Sequence, residues 1–177
     1  AYDTNVPIVS NIETDVAWDE ACDKVLAALA PLGEEYVQTL GAGLRGRWCD
    51  RYENKGKRSG AFSSSSYGNP PFIMMNYKRD VFSDVYTLAH EAGHSMHTWY
   101  SQRAQRYQEY NYPIFLAEVA STFNEELLTH HLLAETTDPK MRAYLISRQL
   151  DDIRGTVYRQ TMFAEFEKVI HAMEESG

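Results

Sequence analysis

Cysteine is nearly absent: Cys22 and Cys49 are the only two in 177 residues, and no CxxC pair occurs. Two thiols cannot build a disulfide framework, and a chain of this length holds core enough without one, so both are expected to be reduced, inert thiols of a cytoplasmic protein. Long apolar runs are missing too. Stretches such as VLAALAPL at 25–32 fall far short of the roughly 20 residues that cross a bilayer, and the opening AYDTNVPIVS has no basic segment leading into an apolar one. Neither a membrane partner nor export is expected. Basic charge is in deficit, with 17 Lys and Arg against 25 Asp and Glu and a formal charge of −8. That balance argues against a nucleic-acid partner, because phosphate binding needs clustered cations. The one dense basic run, Lys55, Lys57 and Arg58 in ENKGKRSG, is flanked by glycines and reads as a solvated turn. An opening Ala1 and an ending directly after a helical pattern lead us to expect a piece of a longer chain.

What is present is mostly helical periodicity. Thr14 or Asp15 can cap a helix carrying Cys22, Val25, Leu26 and Leu29, which Pro31 stops. A second pattern starts at Pro31, with Leu32, Tyr36, Val37, Leu40, Leu44 and Trp48 near one face, so residues 1–50 read as scaffold helices. Between 51 and 80 the period changes. RSGAFSSSS and PFIMMNY are strand-like and are separated by YGNPP, which predicts a β-hairpin. The serine-rich run cannot build a core on both faces, so it is expected at a sheet edge, open to solvent or to an extended peptide. Ser83 and Asp84 open a helix with Val85, Leu88, Ala89, Ala92, Met96 and Trp99 as its apolar stripe. After a polar segment a further helix runs from about Pro113 to Ala134, with Phe115, Val119, Phe123, Leu127 and Leu132 expected inward. Asp138 and Pro139 then open one long C-terminal helix over 138–175, softened at Gly155. The fold class is therefore mainly α with a small β-hairpin or sheet.

The stretch LAHEAGHSMHTWYS, residues 88–101, carries chemistry in its spacing. Residues four apart on a helix differ by about 40° around the axis, so His90 and His94 can aim both imidazoles at one point. Glu91 lies about 100° from His90, close enough to reach a metal-held water without being forced to ligate. A catalytic zinc needs a third protein ligand and an open position. The 113–134 helix offers Glu118, Glu125 and Glu126. We favour Glu118, because FLAEVAST surrounds it with small and apolar residues where an unpaired carboxylate is costly, and place Glu125 behind the ligands as a supporting carboxylate. His97 points too far round to close the site, and the metzincin pattern fails because position 97 is His and position 100 is Tyr. His130 and His131 read as ordinary helix residues. Gly93, which weakens a helix by about 1 kcal/mol relative to Ala, makes sense if something packs close to it. A competing reading makes all three motif residues plain polar positions of an amphipathic helix.

LAHEAGHSMHTWYS followed by IFLAEVASTFNEELL resembles the zinc oligopeptidases of the thimet oligopeptidase and oligoendopeptidase F family. RWCDRYENKGKRSGAFSSSSYGNPPFIMMNY and YRQTMFAEFE resemble that family's segments as well, so the likeness spans most of the chain. The resemblance implies a zincin-like (gluzincin) catalytic core of a helical oligopeptidase, of which 1–177 is part. It implies one Zn2+ per chain on His90, His94 and Glu118, with Glu91 as general base. It also implies short unfolded peptides as substrates, cleaved at internal bonds, and an edge strand at Gly60, Ala61 and Phe62 that pairs with substrate backbone. The family's His and Tyr motif for stabilising an oxyanion finds no match at Tyr158, His171 or any other residue. The alternative is therefore a module that binds metal or peptide without cutting.

Overall fold

A computed structural model of the protein describes Val9 and residues 12–177. Two compact units divide it, Glu13–Glu135 and a second that holds Thr136–Gly177. The first contains helices α1 (Trp18–Ala28), α2 (Glu34–Arg45), α3 (Ser83–Ala104) and α4 (Ile114–Glu135), with strands β1 (Cys49–Asp50), β2 (Phe62–Ser64) and β3 (Phe72–Met74). The second contains α5 (Pro139–Ile153), a π-helical turn at Arg154–Tyr158 and α6 (Arg159–Ser176).

The expected cap of α1 is displaced. Ala17 occupies the N-cap with no side-chain hydrogen bond, and Asp15 instead accepts from the guanidinium of Arg79 at 2.5 and 2.9 Å. Thr14 and Asp15 thus belong to an extended segment tied down by Val16 N–H to the Arg79 carbonyl and by the Tyr77 hydroxyl to the Val16 carbonyl, both at 2.9 Å. Pro31 does end the helical run, in a short 3-10 turn over Ala30–Leu32. The next helix starts at Glu34 rather than Pro31, because Gly33 takes a φ of +100° that no helix contains. Trp48 lies beyond α2, and its indole folds back onto Gly43, where a Cβ would sit 2.2 Å from the ring.

The hairpin forms, but the sheet has a third strand. β2 pairs antiparallel with β3, Ser63 opposite Ile73, while β1 pairs parallel with β3 on its other side. The strand order β1-β3-β2 leaves β2 at an edge. Alternation was a poor guide to β1, since a two-residue strand has no period to detect and its partner lies more than twenty residues away. Val25, Leu29, Leu40, Leu44, Ile73, Met75, Leu88, Met96 and Leu128 are completely buried and bind the four helices and the sheet into one core. Each such side chain contributes on the order of 1.5–3 kcal/mol.

The rotation of α4 differs from the expected one. Leu132 is buried as expected, but Phe115, Val119 and Phe123 are 88, 60 and 52% exposed, and Ser121, Asn124, Leu128 and Thr129 are buried instead. Polar contacts set this phase. The Tyr86 and Thr129 hydroxyls lie 3.0 Å apart, and Asn124 Nδ2 donates to the Ala89 carbonyl at 3.1 Å. In the second unit Asp138 caps α5 by accepting from the Lys140 and Met141 amides. The C-terminal helical run is continuous from Pro139 to Ser176 and widens into a π turn at Arg154–Tyr158, which spans Gly155 where softening is expected. Among the described residues no helix is long and apolar enough to cross a membrane.

Candidate metal centre

Close helix packing creates the site. At Gly93 of α3, a Cβ would lie 2.6 Å from Ser121 Cα and 2.7 Å from the Ala120 carbonyl, so only glycine lets the α4 backbone come this near. Glu118, three residues before Ser121, is thereby laid beside His90 and His94, three residues before and one after Gly93. Ser121 Oγ donates to Glu118 Oε2 at 2.8 Å, which orients that carboxylate.

The result is a nearly equilateral triangle. His90 Nε2 and His94 Nε2 are 3.1 Å apart, and each is 3.3 Å from Glu118 Oε2. Four ligands at 2.0–2.1 Å from a tetrahedral zinc are separated by about 3.3 Å, so these three atoms form one face of such a polyhedron. A proton can bridge only one edge of the triangle, whereas a single cation satisfies all three corners. The residues present therefore fit a metal ion of zinc's size and preferences.

Supporting contacts prepare both rings. His90 Nδ1 is 2.7 Å from Glu125 Oε1; with the proton on Nδ1, the ring donates there and leaves Nε2 bare. His94 makes a hydrogen bond to the Ala117 backbone. The two imidazoles respond differently to their surroundings. Burial alone would lower His90, but the hydrogen bond and charge of Glu125, with Glu91 and Glu118 behind, outweigh it and raise the ring's pKa. Burial lowers His94, and the neighbouring His90 adds to that.

Glu91 is only 6% exposed. Burial raises its carboxyl above the ordinary range, opposed by His90 and by a hydrogen bond from the Ser63 backbone N–H. Ser63 belongs to β2, and its hydroxyl is 2.8 Å from that of Ser95, one turn past Glu91 on α3. The edge strand is thus fastened to the motif helix at two points.

Glu118 is not enclosed by apolar neighbours as its local sequence leads one to expect: its side chain is 61% exposed. It sits in the triangle because of the helix crossing. Glu125 faces His90 from behind, and Glu126 is turned outward. His97 is apart from the cluster, its ring stacked on Tyr112 at 3.7 Å and 6°. His130 is exposed, and His131 lies 3.3 Å from Glu135. Of the expected strand residues, Gly60 accepts from Asn76 Nδ2 at 3.0 Å, Gly60 and Ala61 line a cavity, and Phe62 is exposed. Ser63, Ser95, Ser121 and Asn124 escaped the sequence reading. Their signal was faint: small polar residues at helical spacing beside a motif look the same on a solvated face.

Two histidines and a glutamate from antiparallel helices, with a buried carboxylate next to them on a mainly helical scaffold, define a candidate hydrolase-type metal centre. The chain belongs to peptidase family M3, whose profile matches residues 11–177. It is 51% identical over 176 residues to Oligopeptidase PepF of Bacillus subtilis, and 49% identical over 173 residues to an oligoendopeptidase F homolog of Borreliella burgdorferi. These alignments cover 99 and 97% of this chain but only 26 and 29% of the relatives' lengths. Among solved structures, a candidate peptidase from Chlamydophila abortus superimposes with a TM-score of 0.84 at 44% identity, over 94% of this chain and 28% of that one. The oligoendopeptidase-F of Enterococcus faecium gives a TM-score of 0.55 at 33% identity, over 97% and 22%.

Proposed function

We propose that this chain carries the metal centre and general base of a zinc-dependent oligoendopeptidase that hydrolyses internal bonds of short, unfolded peptides. The triangle of His90, His94 and Glu118, with Glu91 buried beside it, is the observation that supports this most strongly. In this reading His90 Nε2, His94 Nε2 and Glu118 Oε2 hold one zinc ion. When bound, zinc supplies Lewis-acid activation of a water and of the scissile carbonyl.

The remaining work falls to the protein's own groups. Glu91 accepts the proton of the attacking water and passes it to the leaving amine, a role suited to a carboxyl whose pKa burial has raised. The Ser63 N–H holds that carboxylate in place, and Glu125 holds His90. The run Gly60, Ala61 and Phe62 leading into edge strand β2 is where an extended substrate backbone would lie, which favours extended chains over folded ones. A cytoplasmic setting suits the two free thiols: burial pushes Cys22 up to about 11 and Cys49 up to about 12.

Zinc content of the full protein, with and without Glu118→Ala, tests the reading first. Near-stoichiometric zinc that falls in the variant, together with cleavage of an internally quenched peptide, is the expected result. Zinc retained with the peptide recovered intact favours a binding module instead, and no zinc at all removes the metal reading.

A further inference from the structure

Ser95 is completely buried in the middle of α3, one turn beyond Glu91. A hydroxyl shut away from water is costly unless it is paired, and this one meets a group outside its own helix: Ser63 Oγ of β2, at 2.8 Å. The same Ser63 donates its backbone N–H to the Glu91 carboxylate. One strand residue therefore holds α3 at positions 91 and 95, which share a helix face and lie about 6 Å apart along it.

Two attachments do what one cannot. A single hydrogen bond fixes a distance and leaves the strand free to pivot about it; a second, one helical turn away, removes that freedom. The strand needs the restraint. β2 is three residues long and stands at the edge of the sheet, paired with β3, and Phe62 and Ser64 on either side of Ser63 are exposed. Ser63 is thus the residue of β2 that faces the helix. Glu91 in turn depends on where the Ser63 N–H stands, because its carboxyl is almost out of reach of water and a hydrogen bond weakens steeply when donor and acceptor fall out of line.

We propose that Ser95 is a positioning residue for Glu91: through Ser63 Oγ it sets the seat of β2 on α3, and with it the place of the N–H that orients the base. The proposal rests on the peptidase reading above, which gives Glu91 its role. Ser95→Ala is the clean variant, since the half-buried Ser63 hydroxyl it leaves behind can turn to water, whereas Ser63→Ala strands a buried hydroxyl at Ser95.

The full protein is compared with Ser95→Ala, Ser63→Ala, the double alanine variant and Ser63→Thr. Zinc content is expected to be equal in all. Each alanine variant is expected to lower kcat on a quenched peptide about threefold to tenfold with KM unchanged, the effect of one hydrogen bond. The double variant should match the single ones, because both remove the same contact, and Ser63→Thr, which keeps the hydroxyl, should retain wild-type kcat. Hydrogen–deuterium exchange at the Ser63 amide is read without turnover and is expected to quicken in Ser95→Ala. A pair that serves only folding would lower the melting temperature and leave kcat and the Ser63 amide unmoved. That result overturns the proposal, as do additive losses in the double variant or zinc lost from Ser95→Ala. Should the wild-type protein cleave no peptide, the peptidase reading fails and amide exchange decides alone: faster exchange in Ser95→Ala upholds its hold on the Ser63 N–H, and unchanged exchange overturns it.

Discussion

His90 Nδ1 and Glu125 Oε1 lie 2.7 Å apart, so a carboxylate from α4 holds an α3 ring at the nitrogen that does not face His94. This contact fixes which nitrogen is free and at what angle. Glu125→Gln keeps the shape but weakens the acceptor, and zinc affinity is expected to fall about 10–100-fold with little change in melting temperature. Competition with a chromophoric chelator measures it; unchanged affinity would remove Glu125 from the supporting role.

Glu91 is predicted to serve the reaction and not the metal. Glu91→Gln should retain zinc at the wild-type level and lose cleavage, whereas His94→Ala should lose both. Elemental analysis and a quenched-peptide assay on the same preparations separate the two. Cleavage that persists in Glu91→Gln rules out the general-base assignment.

At Gly93 the α4 backbone comes close against α3. Gly93→Ala places a methyl group 2.6 Å from Ser121 Cα, against backbone that cannot rotate away. We expect a loss of about 1–3 kcal/mol in chemical denaturation and a further loss of zinc affinity, because Glu118 moves with α4. Gly155, where an added methyl group would meet nothing within 4 Å, serves as the control: Gly155→Ala should be neutral or mildly stabilising.

The cysteines give a pH prediction. Cys22 and Cys49 are held near 11 and 12 by burial, against an ordinary value of 9.0, so the folded protein keeps both protonated where an unfolded chain does not. The unfolded state then binds fewer protons above about pH 9, and stability falls as pH rises from 9 towards 11. Iodoacetamide at pH 8 should leave Cys22 unmodified until denaturant is added and modify the half-buried Cys49 only slowly. Rapid labelling of Cys22, the fully buried thiol, in the native protein would contradict its burial.

Local periodicity carried the reading where neighbours in sequence are neighbours in space. The His90, Glu91 and His94 arrangement, the serine-rich edge strand and the Asp138 cap all depend on residues within a few positions of one another. Failures occurred where partners are distant. Phe115, Val119 and Phe123 suggest one rotation of α4, yet Tyr86, the Ala89 carbonyl and the Gly93 contact turn it the other way. Strand β1 has no local signal, because among the described residues its partner is β3, across the whole hairpin.

Glu118 shows the division most clearly. From its amino acids alone the chain specifies helices, a two-histidine face and the three glutamates Glu118, Glu125 and Glu126 on a later helix, because backbone hydrogen bonds and side-chain period are local properties. Which glutamate stands 3.3 Å from both histidines is decided by how closely two helices can approach, and that depends on a missing Cβ at Gly93 meeting Ser121 some twenty-eight residues later. No pattern within either helix contains that distance; it arises only when the two are packed.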